Sequence, residues 1–270
     1  MLIMSLRAYK IALKMVWLLT SQITLVNMVQ KVYSSTLLSI GSFEHVLDLG
    51  VRYHQDYVNR NHQQKSYLMT GASLVADGID RPAKVINYAR SDALAIYLSD
   101  KISKGDWTFT AGVRHEDIAG QLHNKQTGSK YYNNQYVFAP DLGVHRKITD
   151  NIGILAGVYV GFSPAGPGNS GAEAEESINF EYGFRYEAEQ LSAEVIGFYS
   201  DYDNLIGRCR ASDANCDVGE EFNGGQVEIG GIELNAQAQL PLNDALDFNS
   251  QLSFTYTETA FQTDLLSGFS

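Results

Sequence analysis

The sequence predicts an all-β protein, the wall of an antiparallel transmembrane β-barrel. Three observations lead to this prediction. Apolar and polar side chains alternate with a period of two, the alternating segments are about a dozen residues long, and the links between them are by turns long and short. The composition agrees, because the 270 residues include 24 Gly and 16 Tyr, and outer-membrane barrels carry aromatic residues at both membrane interfaces.

The alternation is clearest in residues 106–116, 151–162, 177–187 and 246–257. In the first of these, apolar side chains share one face of the strand and polar ones the other, with Trp107, Phe109, Ala111 and Val113 on the apolar side. Successive side chains of a strand point to opposite faces. One face therefore meets an apolar phase and the other a polar phase.

Strand lengths and links favour a membrane barrel over a soluble sandwich. Sandwich strands average about 5–6 residues, whereas a tilted membrane strand needs about 9–11. Nine strands are predicted, at 44–58, 85–101, 105–118, 135–148, 151–162, 175–188, 191–204, 224–240 and 245–258. Long links fall at 59–84, 119–134, 163–174 and 205–223, and short ones at 103–105, 149–150, 189–190 and 241–244. Long loops outside and tight periplasmic turns are typical of outer-membrane barrels.

Two segments need separate interpretation. The apolar face changes parity at Gly230-Gly231, which predicts a β-bulge, with two short strands joined by a Gly-Gly turn as the alternative. Residues 1–35 are predicted to be an atypical, helical or irregular segment before a barrel region at 36–270. Their basic residues and apolar patch are signal-like without a small-residue cleavage site, and read-through sequence is the other interpretation.

Nothing in the sequence indicates an enzyme, and we predict no catalytic residues, no cofactor and no metal site. Nucleophile-elbow, zinc-protease and P-loop motifs are all missing. The net charge of −11 argues against a nucleic-acid partner, because phosphate contacts need clustered Lys and Arg. The acidic run Glu173, Glu175 and Glu176 is interpreted as a solvated loop edge, with cation binding as the alternative.

Arginines are the residue type that offers bidentate contacts to an anionic ligand. We predict such contacts for Arg60, Arg81, Arg208 and Arg210, with internal salt bridges as the open alternative. For the strand residues Arg52 and Arg114, we favour salt bridges with Asp48 or Glu116.

The two cysteines, Cys209 and Cys216, have six residues between them. A local disulfide is the favoured interpretation, which requires an oxidising compartment. Free thiols and a metal site are the alternatives, and no second cysteine pair supports the latter.

Several segments together resemble the barrel strands of TonB-dependent receptors, most closely the iron(III) dicitrate receptor group. They are GVRYHQDYVNR (50–60), TFTAGVRHEDI (108–118), GFSPAGPG (161–168), EESINFEYGFRYE (175–187), EVIGFYSDYDNLIG (194–207), FNGGQVEIGGIEL (222–234) and FTYTETAF (254–261). The resemblance spans about residues 35–270 in the family's order.

The resemblance implies a Gram-negative outer-membrane receptor with about 22 strands. Such a receptor takes up a ferric chelate, of iron(III) dicitrate or siderophore type, and is energised by TonB-ExbB-ExbD through a plug domain. This chain would supply nine to ten strands in contact with outer-membrane lipid. No plug or TonB-contacting box is recognisable and residue 270 falls within a loop, so we expect a fragment that is not transport-competent alone. A small complete porin or adhesin barrel and a soluble β-sandwich binding module are the alternatives.

Overall fold

The computed structural model describes residues 15–209, 221–243 and 246–262, and these are almost entirely β-strand. Within these ranges no helix is long and apolar enough to cross a membrane. The strands are β1 (Met15–Ile40), β2 (Phe43–Thr70), β3 (Ser73–Ala76), β4 (Val85–Lys104), β5 (Trp107–Asn124), β6 (Lys130–Lys147), β7 (Ile152–Ser163), β8 (Glu175–Glu187), β9 (Leu191–Asp203), β10 (Ile206–Arg208), β11 (Glu221–Asn223), β12 (Val227–Asn243) and β13 (Leu246–Phe261).

Ten long strands form one antiparallel sheet in the order β1-β2-β4-β5-β6-β7-β8-β9-β12-β13. The short strand β3 folds back on the end of β2, and β10 pairs with β11 as a separate hairpin. Chain neighbours are sheet neighbours because tight turns such as the one at Gly105, with φ of 56°, connect antiparallel strands directly. Among the described strands no pairing joins β1 to β13, so the sheet is an open barrel wall.

The nine predicted strands are confirmed as β2, β4 to β9, β12 and β13. Three of the predicted long links are in part strand, because β2 continues to Thr70, β5 continues to Asn124, and β10 and β11 lie within 205–223. Backbone pairing persists there, from Arg60↔Asn87 to His62↔Val85 between β2 and β4. Beyond the bilayer both faces meet water, so strand can continue without apolar alternation.

The prediction of a helical or irregular N-terminal segment is wrong for residues 15–35. They belong to the 26-residue strand β1, which pairs without interruption from Met15↔Leu68 to Ile40↔Phe43. The strand crosses the predicted boundary at 35/36, and residues 1–14 lie outside the described ranges. Backbone hydrogen bonds to β2 specify this strand, whatever its hydropathy pattern.

The bulge predicted at Gly230-Gly231 is also wrong, as is the alternative turn. Both residues pair in unbroken register with β9, at Tyr199 and Phe198, and with β13. The irregularity in β12 lies instead between Pro241 and Asn243. Because the register is unbroken, Val227 and Ile229 at the start of β12 share a face with Glu233. They therefore lie on the polar face of the sheet.

The two faces of the sheet differ in polarity. The outer face, which carries the alternating apolar residues, is solvent-accessible, with Phe138 and Phe184 at 64% and 63% exposure. The opposite, inner face holds the small buried core, including Ala95 and Val137 at 1% exposure each, and the buried carboxylate Glu116. An apolar face of this extent requires an apolar surrounding phase. A single layer of this kind rules out the soluble sandwich, which needs two facing sheets.

Candidate functional site

The link between β7 and β8, residues 164–174, folds onto the inner face of β5 and β6. Two amide side chains of β6 hold it there. Gln135 donates from Nε2 to the Ala165 carbonyl at 3.1 Å and accepts from the Ala165 N–H at 2.8 Å. Asn133 donates from Nδ2 to the Gly166 carbonyl at 3.2 Å and accepts from the Gly168 N–H at 2.7 Å. We call this pair of side chains the amide clasp.

The clasped loop fits closely against the sheet. Gly168 has φ of +80°, and a Cβ there would overlap the Cβ of Leu122. A Cβ at Gly120 would lie 3.0 Å from the Pro167 Cα and would overlap the Asn133 amide oxygen. Glycine is required at Gly168 for both its backbone conformation and its close approach. The loop therefore lies as a fixed element over the inner face.

A polar cleft of about 290 Å³ lies on the inner face of β7, β8, β9 and β12. Three carboxylates line it, Glu181, Glu194 and Glu233. The Tyr159 hydroxyl donates to Glu181 at 3.1 Å, and Arg185 pairs with Glu194. This part of the inner surface is acidic and offers mainly hydrogen-bond acceptors.

The structure does not bring Arg60 and Arg208, two of the predicted ligand arginines, together. Arg60 lies on the inner face of β2, half-buried. Arg208 is exposed in the β10 hairpin that follows β9, and the five strands β4 to β8 lie between β2 and β9 in the sheet. Arg210 lies outside the described residues.

Arg81 is part of a cluster at the loop end of β2. It pairs with Asp77 at 3.1 Å and donates from Nε to the Ser66 hydroxyl at 2.8 Å. Asp77 also accepts hydrogen bonds from the Ser66 hydroxyl and, at 3.0 Å, from the Ile79 N–H. These two hydrogen bonds, with the Arg81 charge as a smaller cause, hold the pKa of Asp77 below its ordinary value.

Other sequence-based interpretations have mixed outcomes. Arg114 pairs with Glu116 at 2.6 Å, as predicted, whereas no described carboxylate lies within ion-pair distance of Arg52.

Glu175 accepts a hydrogen bond from the Ile206 N–H at 2.6 Å, so it fixes the loop end. Across the described residues no group of three or more His, Cys, Asp or Glu side chains is placed to hold a metal ion.

Cys209 follows β10 directly and is buried, with 3% exposure. No described cysteine carries a free thiol. Cys216 lies outside the described residues, so its part in a disulfide stays a prediction.

An open antiparallel sheet with an apolar outer face and a polar, loop-covered inner face defines the class as a transmembrane β-barrel wall. The family described as TonB dependent receptor-like, beta-barrel matches residues 17–268. The chain belongs to this family of outer-membrane receptors and transporters. Its barrels lie in the outer membrane of Gram-negative bacteria.

Solved structures with the same fold are similar over most of this chain. The ferric citrate transporter FecA is 22% identical with a TM-score of 0.68, covering 92% of this chain and 38% of its own. The siderophore receptor PiuA from Acinetobacter baumannii is 17% identical, with a TM-score of 0.72 and coverages of 90% and 39%. The ferric yersiniabactin uptake receptor FyuA from Yersinia pestis is 18% identical, with a TM-score of 0.63 and coverages of 92% and 37%. The chain thus spans less than two fifths of these structures.

Proposed function

We propose that the chain supplies part of the barrel wall of a receptor for uptake of a ferric chelate, of the iron(III) dicitrate or siderophore type. The observation that carries this proposal is the polar inner face, with its amide-clasped loop, in a barrel of the TonB-dependent receptor family. FecA, PiuA and FyuA are described as a ferric citrate transporter, a siderophore receptor and a ferric yersiniabactin receptor. The porin or adhesin alternative gains no support from the family match.

Among the four predicted ligand arginines, Arg60 has the strongest support. It lies on the inner face, and no described carboxylate lies within ion-pair distance of it. Arg81 is engaged with Asp77 and Ser66. The Arg81, Arg208 and Arg210 contacts therefore stay secondary proposals, and Arg60 is the first residue to test.

Binding of ferric citrate and of a ferric siderophore to the full chain in detergent tests this assignment, with quenching of tyrosine and tryptophan fluorescence as the signal. Arg60→Gln should weaken binding about tenfold, because a charged hydrogen bond contributes about 1.5–3 kcal/mol. Arg90→Gln is the matched control, because Arg90 lies on the outer face and pairs with Asp92 at 2.6 Å. Equal affinities in both variants would exclude Arg60 from the site, and no binding of any chelate would refute the assignment of ligand contacts to this chain.

The proposed energy source is TonB-ExbB-ExbD, acting through a plug domain. The chain spans 38% of the FecA structure and its described sheet is open, so we propose that it does not transport alone. Cells lacking their own ferric-chelate receptors should accumulate no extra radiolabelled iron when this chain is expressed. Uptake dependent on TonB in such cells would contradict this.

We also propose the Cys209–Cys216 disulfide, in which Cys209 directly follows β10. Purified under oxidising conditions, the chain should react with a maleimide only after unfolding and reduction. The Cys216→Ser variant should react once unfolded without reduction, through Cys209. Alkylation of the unreduced, unfolded parent chain would show that the thiols are free.

A further inference from the structure

Four residues alternate between aromatic and cationic along the turn end of the outer face. Register places Lys104 opposite Trp107, and Trp107 opposite Arg146, across β4, β5 and β6. Phe43 lies on the neighbouring strand β2. The Lys104 Nζ lies 4.3 Å from the Phe43 ring centroid, and the Arg146 Cζ lies 4.8 Å from the Trp107 ring centroid. We call these four residues the rim row.

The rim row lies beside the short turns of the sheet. Gly105 and Asp106 separate Lys104 from Trp107, and β1 turns into β2 just before Phe43. Short turns of outer-membrane barrels face the periplasm, so the row lies at the periplasmic edge of the apolar band. Phe43 and Trp107, each 40% exposed, are aromatic side chains at headgroup depth.

The two cations of the row have no carboxylate partner in the described part of the chain. The ion pairs found there involve His45, His54, Arg81, Arg90, Arg114, Lys147 and Arg185. Asp100, the outer-face carboxylate nearest to the row on β4, is engaged by His45 at 2.9 Å. The chain has a net charge of −11, yet these two cations lie on the lipid-facing side of the sheet and contact aromatic rings rather than carboxylates.

We propose that the rim row binds the phosphate of an anionic phospholipid in the periplasmic leaflet. Lys104 and Arg146 are two strand spacings apart, about 10 Å between backbones, and their long side chains can reach one headgroup from both sides of Trp107. Aromatic faces orient such cations without neutralising them. Basic side chains at a membrane surface select anionic lipid.

Fluorescence of Trp107 tests this directly. The chain has two tryptophans, so Trp17→Phe leaves Trp107 as the single reporter. The full chain in detergent micelles is mixed with brominated-acyl phosphatidylglycerol or, separately, brominated-acyl phosphatidylcholine. Quenching should show an occupancy by the anionic lipid about thirtyfold higher, which corresponds to about 1 kcal/mol for each of the two cations.

The Lys104→Gln/Arg146→Gln variant should abolish this preference. Lys101→Gln, which removes one positive charge from the inner face of β4, should keep it. Equal quenching by both lipids in the Trp17→Phe chain overturns the proposal, as does a preference that survives the double substitution.

Two further measurements use the Trp17→Phe chain without any substitution in the rim row. Added salt should reduce the preference, because screening weakens exposed charges, and a preference unaffected by salt would overturn the ionic basis. Replacing chloride by inorganic phosphate at constant ionic strength should leave the preference intact. If free phosphate displaced the lipid signal, a phosphate site would replace the lipid site.

Discussion

Asp77, at the loop end of β2, shows how single residues fix the connection to β4. Its carboxylate is 7% exposed and is shared between the Ser66 hydroxyl, the Ile79 N–H and the Arg81 guanidinium. Because its pKa in the folded chain is lowered from 3.8, the ionised form stabilises the loop above that value. This stabilisation is lost as the pH falls through the lowered pKa.

Ser66→Ala should raise the pKa of Asp77 toward 3.8, because the hydroxyl is the largest cause of its lowering. Loss of the loop contacts should then begin at higher pH than in the parent. Carboxyl-carbon NMR of labelled Asp77 measures the titration. Ser73→Ala, on the exposed strand β3, should leave it unchanged. A pKa that did not move would mean that Ile79 and Arg81 alone set it.

Among the elements, the clasped loop 164–174 makes the sharpest prediction. Substituting both clasp residues, Asn133→Leu/Gln135→Leu, removes four hydrogen bonds to the loop backbone. Each contributes about 1 kcal/mol net, so the loop should leave the inner face. Hydrogen exchange at the Ala165 and Gly168 amides should become fast. Asn134→Leu, exposed on the outer face between them, is the control, and unchanged protection in the double variant would show that packing alone holds the loop.

At the level of strands, the sequence-based prediction placed the nine strands that alternate with a period of two, but it misplaced the irregularity in β12. It failed at β1, because adjacent apolar residues such as Met28-Val29 and Val32-Tyr33 interrupt the period-two pattern of that strand. The amide clasp could not be predicted from the sequence either, because Gln135 and Ala165 are 30 residues apart in the chain. Polar residues on alternate positions of β6 were the only hint. The sequence indicated which arginines could bind an anion. It could not indicate that Arg81 pairs with Asp77, because that contact forms only in the folded chain.

For the whole molecule, the difference between the two faces predicts different responses to the same charge. Val195→Arg places a cation on the outer face, where Val195 is 40% exposed. Arginine on the lipid side costs about 2–4 kcal/mol at the bilayer midplane. Ile196→Arg places it on the inner face, near Glu233 in register, and should be tolerated. Membrane-inserted yield and urea unfolding in lipid vesicles measure both variants, and equal losses would mean that the faces are wrongly assigned.

The ten strands of the sheet path carry a constraint of parity. Every neighbouring pair in that path is antiparallel, so β1 runs toward the turn end and β13 runs away from it. A closed ring of strands that alternate up and down must contain an even total. Any β-structure that completes the ring therefore adds an even number of strands. The added strand beside β1 runs away from the turn end, and the added strand beside β13 runs toward it. An odd-stranded complement would force one parallel seam into the barrel, and that seam would have to lie between strands joined by no hairpin.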